Sequence, residues 1–75
     1  MNAMREFTAL IEREGDGYVS LCAELDIASQ GDTVEEAKGN LIEAVALFLE
    51  TADPSEIERR GRSELFVTRL EVPVG

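Results

Sequence analysis

Hydrophobic and polar positions alternate along REFTALIERE, residues 5–14, and predict a first strand. Phe7, Ala9 and Ile11 share one face; Glu6, Thr8, Leu10 and Glu12 share the other. GDG, residues 15–17, predicts a hairpin turn, because glycine and aspartate tolerate positive φ. YVSLCAEL, residues 18–25, alternates again as a second strand, with Val19, Leu21 and Ala23 matched to the core face of the first. Asp26 marks a short break, and IASQ, residues 27–30, reads as a third strand. The period then lengthens. Val34, Ala37, Leu41, Ala44, Val45 and Phe48 form the core stripe of a helix running to about Thr51, and Ile42 and Leu49 widen it.

Thr33 and Glu36 fit a capping box at the start of this helix, and Asp32, Glu35 and Glu36 suit the positive end of its dipole. Gly39 costs about 1 kcal/mol relative to alanine in a helix interior, so a close neighbour is expected there. Farther on, PSEIERRG predicts a short helix with Asp53 as cap, Pro54 at its first position and Gly61 as its stop. ELFVTRLEV, residues 64–72, reads as a fourth strand, with Phe66, Leu70 and Val72 alternating against Leu65, Val67, Arg69 and Glu71.

These elements predict a single α+β domain over residues 1–75 in the order β-β-β-α-β. Three strands form an antiparallel meander. A right-handed crossover then sets strand four beside strand one, giving the sheet order 3-2-1-4 with one long helix packed on one face. The other face meets water, a second copy or a partner. Strand four is a sheet edge with apolar residues on both faces and neither Lys nor Pro before Pro73 to discourage pairing. Together with Ile42 and Leu49 it predicts a homodimer.

Composition sharpens this picture in two ways. A chain of 75 residues buries a small core, so a partner adds useful burial. No apolar run reaches the ~20 residues of a membrane span and no signal-peptide pattern opens the chain, so the expected location is the cytoplasm, away from membranes. The net charge is −9, and its distribution is uneven. Residues 14–50 hold nine acids and one base, Lys38, a local net of −8 that repels nucleic-acid phosphates and attracts a basic surface. The acids bordering the helix start and the turn between strands two and three, Glu24, Asp26, Asp32, Glu35 and Glu36, are the candidate partner-binding residues. For Asp32, Glu35 and Glu36, capping and dipole service is the competing explanation.

Candidate chemistry is sparse. The chain has no histidine, hence no imidazole base and no Ser-His-Asp triad. A single cysteine, Cys22, permits neither an internal disulfide nor a multi-cysteine zinc site, and reads as a small buried hydrophobe. Glu6, Glu12, Glu43 and Glu71 could in principle hold Mg²⁺, but their predicted faces are exposed, and no catalytic, metal or cofactor residue is expected. RRGR, residues 59–62, could contact phosphate; the acidic total opposes it.

The segment YVSLCAELDIASQGDTVEEAKGNLIEAVALFLE, residues 18–50, resembles the HicB family of antitoxins. The shared features are Tyr18 after a Gly-rich turn, Glu24-Leu25, Ser29-Gln30-Gly31-Asp32-Thr33, Glu35-Glu36-Ala37, and Asn40-Leu41 with Glu43-Ala44. The usual Pro-Gly-Cys before Ser-Gln-Gly is replaced by Asp26-Ile27, one residue shorter, which requires a tighter turn. The resemblance implies a partial ribonuclease-H-like fold and an antitoxin-type module that neutralises a small, basic, mRNA-cleaving toxin of the HicA type by direct contact. The family's C-terminal DNA-binding domain has no counterpart in this sequence, so no DNA binding is expected from it. The alternative is an orphan, homo-oligomeric HicB-like domain with a small-ligand or RNA-binding role.

Overall fold

A computed structural model describes residues 5–61 and 65–75. Strands β1 (Ala9–Glu14), β2 (Gly17–Cys22) and β3 (Ile27–Gly31) form an antiparallel sheet in the order β1-β2-β3. Helices α1 (Val34–Thr51) and α2 (Pro54–Gly61) follow. The α+β class and the three-strand meander leading into a long helix are therefore as the sequence predicts.

The hairpin departs from expectation by one residue. Glu14 pairs with Gly17, so the turn is Gly15-Asp16 alone. Gly15 takes φ 61 while Asp16 stays on the ordinary side of the map, the pattern of a II′ turn with glycine first. One residue of register inverts the faces of a strand. Ile11 lies opposite Ser20 and Ala9 opposite Cys22. The helix-facing residues of β2 are accordingly Ser20 and Cys22, both buried, and not Val19, Leu21 and Ala23. These small side chains let α1 come close. Ser20 Oγ donates to the Ala37 carbonyl at 2.9 Å, so the hydroxyl is buried without losing its partner.

Residues 23–26 make the tight turn between β2 and β3. The Asp26 N–H donates to the Cys22 carbonyl at 2.8 Å, and Asp26 adopts φ 56, a left-handed conformation that aspartate tolerates better than most residues. This turn drops Leu25 into the core, 1% exposed. Cys22, Leu25, Leu41 and Val45 form the centre, with Phe7, Ile27, Phe48 and Leu49 packed around it.

Helix α1 begins as predicted. Thr33 is its N-cap, and Thr33 Oγ1 accepts from the Glu36 N–H at 3.0 Å. Ala37, Leu41 and Val45 are its buried positions, whereas Val34 is exposed. A Cβ on Gly39 would meet nothing within 4 Å, contrary to expectation. The close approach is at Gly31, where a Cβ would stand 2.5 Å from the Ala37 nitrogen. Asp53 Oδ1 accepts from the Ser55 N–H at 2.9 Å and the Ser55 hydroxyl at 2.6 Å, so it caps α2 as expected and holds its own carboxyl below the usual range.

Among the described residues no fourth strand is present. Residues 65–75 adopt neither helix nor strand, and all of them are exposed; Glu64 lies outside the described residues. Among the described residues the sheet has three strands, and the 3-2-1-4 order is represented by its first three members. Helix α1 packs most extensively on β3, less on β2 and least on β1, which leaves its flank open above the β1 edge. The radius of gyration is 14.6 Å, against about 11 Å for a compact chain of this length.

Candidate partner-binding site

The acids singled out by the sequence lie at opposite ends of β3. Glu24 and Asp26 belong to the turn before it, whereas Asp32, Glu35 and Glu36 follow it. Six residues of extended chain separate Asp26 from Asp32, about 20 Å. The five candidates therefore do not make one cluster.

Glu24 is half-buried and turned toward its own chain. One carboxylate oxygen accepts from the Thr8 N–H at 2.8 Å, and the other accepts from that N–H at 3.0 Å and from Thr8 Oγ1 at 2.8 Å. Burial pushes the Glu24 carboxyl up, but the Thr8 N–H and hydroxyl, with the residue's own N–H, outweigh it and hold the group below the usual carboxylate range. This clasp ties the segment entering β1 to the turn that carries Asp26, which is itself exposed. Cys22 Sγ lies 3.9 Å from Glu24 Oε1. Burial pushes the thiol up, and the neighbouring carboxylate adds to the effect, so the sulfur stays protonated and weakly nucleophilic.

At the other end the chain assembles a different group. The pairing of Glu14 with Gly17 and of Tyr18 with Gly31 brings the end of β1 beside the start of α1. Glu14, Asp32 and Glu36 then line an open depression of about 510 Å³ together with Tyr18, Val19, Gln30 and Asn40. Asn40 Nδ2 donates to the Gln30 carbonyl at 2.7 Å and fixes one wall. Glu35 is exposed on the first turn of α1 but does not line the hollow. Three acidic residues and a tyrosine among the residues lining one open hollow are a composition that suits a guanidinium or ammonium group. Glu14 and Tyr18 are additions to the sequence-based candidates. Only the strand register places them here, and the turn-length reading that obscured it also obscured them.

Glu6, Glu12, Glu43 and Glu71 are all exposed, and among the described residues no group of three or more His, Cys, Asp or Glu side chains is placed to hold a metal ion. Of RRGR, Arg59 is exposed, and Arg62 lies outside the described residues. Among those residues no helix is long and apolar enough to cross a membrane.

Known proteins resemble this chain over most of its length. UPF0150 protein ssl0738 of Synechocystis sp. is 46% identical over 61 residues, covering 79% of this chain and 82% of that protein. UPF0150 protein ssr1765 of the same organism is 47% identical over 47 residues, 60% of each chain. No family model matches the chain, and no solved structure matches it. With nearly half the residues identical across four-fifths of both partners in the first comparison, the chain belongs to the UPF0150 family.

Proposed function

We propose that this chain is a HicB-like, antitoxin-type binding module. It acts in the cytoplasm, catalyses no reaction, and neutralises a basic HicA-like RNA-cleaving toxin by covering the toxin's RNA-binding surface. The observation that carries this reading is that Glu14, Asp32, Glu36 and Tyr18 line one open depression. A toxin that grips RNA must present Lys and Arg, and this hollow offers such side chains both charge and an aromatic face. Glu35 extends the negative surface; Asp26 supplies a second, separate contact, positioned by the Glu24–Thr8 clasp. The sequence resemblance across residues 18–50 supports the same assignment. The finer topology belongs to this proposal too: residues 65–72 complete a ribonuclease-H-like sheet beside β1, in the order 3-2-1-4.

The test is inhibition of RNA cleavage by a basic toxin encoded next to this chain. Reversing Asp32, Glu35 and Glu36 together to Lys shifts the charge by about six units and slows association, while circular dichroism reports a retained fold. Undiminished inhibition by the folded triple variant sinks the electrostatic mechanism. Failure of wild type to bind any co-encoded basic protein sinks the antitoxin reading and leaves the orphan, self-associating domain. The exposed apolar segment 65–75 favours self-association in either case.

A further inference from the structure

The sheet ends at β1, and its outer edge is chemically open. Glu14 pairs with Gly17 at one end of the ladder, and the Ala23 N–H donates to the Thr8 carbonyl at 3.1 Å at the other. Backbone groups alternate sides along an antiparallel strand, so the even-numbered residues of β1 bond to β2. Those of Ala9, Ile11 and Arg13 consequently face the edge, which has no neighbouring strand among the described residues. Beside the start of this edge, where Ala9 alone of β1 contributes, lies a predominantly apolar trough of about 920 Å³, bounded by residues 5–9 and by Leu41, Ile42, Ala46 and Leu49 of α1. Ile42 is 59% exposed there.

The chain also carries a segment of complementary chemistry. Phe66, Leu70 and Val72 share one parity and are 82, 82 and 69% exposed; Leu65 and Val67, of the other parity, are exposed as well. Burying one such side chain is worth about 1.5–3 kcal/mol, so water is a poor environment for this arm. Pro73 cannot donate to a ladder and ends the usable stretch at residue 72. Helix α2, from which the arm continues, makes no extensive contact with the sheet. Among the described residues an unpaired edge and an exposed segment of strand-like pattern thus coexist.

We propose that two copies exchange these arms: residues 65–72 of each lie along the free edge of β1 in the other, with Phe66, Leu70 and Val72 in the trough against Ile42, Ala46 and Leu49. Reciprocal exchange is a closed, two-fold arrangement that covers both edges and both arms at once. Each arm spans about 26 Å when extended. This inference rests on the proposed sheet order and not on toxin binding.

Sedimentation and cross-linking test it. In full-length chains carrying Cys22→Ala, Ile42→Cys is placed in one chain, and Phe66→Cys, Leu70→Cys or Val72→Cys in turn in a second chain of different mass. After co-refolding and mild oxidation, at least one arm position yields a disulfide between the two chains. Wild type sediments as a dimer, and Leu70→Asp, which alters a side chain exposed in the single chain, shifts it to monomer. A monomeric wild type overturns the proposal, as does a dimer without a cross-link from any of the three positions. A chain carrying both cysteines that closes only on itself also overturns exchange, but leaves the 3-2-1-4 order standing. Toxin inhibition, measured separately, reports on the other proposal.

Discussion

The Glu24 carboxylate takes three hydrogen bonds from Thr8, and those donors favour its ionised form. Its folded-state pKa is depressed, so the folded state binds fewer protons than the unfolded one. The resulting stability is fully present above the unfolded value, about 4.3, and is lost as pH falls through the folded value. Glu24→Gln is therefore expected to lower stability at neutral pH, with the difference from wild type closing as the pH falls below about 4; urea unfolding across that range measures it. Two glycines make a sharper contrast. At Gly31 a Cβ would meet backbone atoms of Ala37 and Glu36 at 2.5 and 2.8 Å, which no side-chain rotation can relieve. Gly31→Ala is expected to cost about 1–3 kcal/mol as overpacking. Gly39 faces open space in mid-helix, and Gly39→Ala is expected to stabilise by up to about 1 kcal/mol. The urea midpoints of the two variants should move in opposite directions.

Helix α1 organises everything else, and its start and its centre make different contributions. The Thr33 hydroxyl satisfies one N–H that the first turn leaves without a partner, so Thr33→Ala is expected to cost about 1 kcal/mol. Leu41 is buried between Cys22, Leu25 and Val45, and Leu41→Ala is expected to cost about 2–5 kcal/mol through lost burial and the cavity left behind. Thermal unfolding ranks the two, and equal effects would contradict the observed helix orientation. Strand β2 shows why helix placement follows from register. Its more apolar face, Val19 and Leu21, turns away from α1, while Ser20 and Cys22 lie beneath it. Small side chains bring two backbones together, and the bond from Ser20 to Ala37 then locks them.

A net charge of −9 on 75 residues gives the molecule a field that acts before any contact forms. Exposed charges lose reach beyond a Debye length of ~8 Å at physiological ionic strength. If a basic toxin is the partner, its association rate should fall steeply between low and high salt, while dissociation, governed by the local fit around Tyr18, changes far less. Stopped-flow or surface-binding kinetics at two ionic strengths separate these rates. Equal association rates at both would point to an apolar contact. The two proposed surfaces are distinct: the acidic hollow lies where β1 ends and α1 begins, whereas the trough lies at the start of β1 and against the flank of α1.

Local chemistry was legible along the chain. Thr33 as a cap, the helix end at Thr51, the Asp53 cap of α2 and the three-strand meander follow from short-range patterns that no distant contact has to complete. The inward face of β2 was not legible. It depends on whether two or three residues form the Gly15–Asp16 turn, and the favourable alternation of Val19, Leu21 and Ala23 pointed to the wrong side. The gathering of Glu14 with Asp32 and Glu36 was hidden for the same reason, since residues 18 and 22 positions apart meet only through register. The strand pattern of residues 65–72 is plain in the sequence, but a strand needs an edge to pair with, and periodicity says nothing about which edge supplies it.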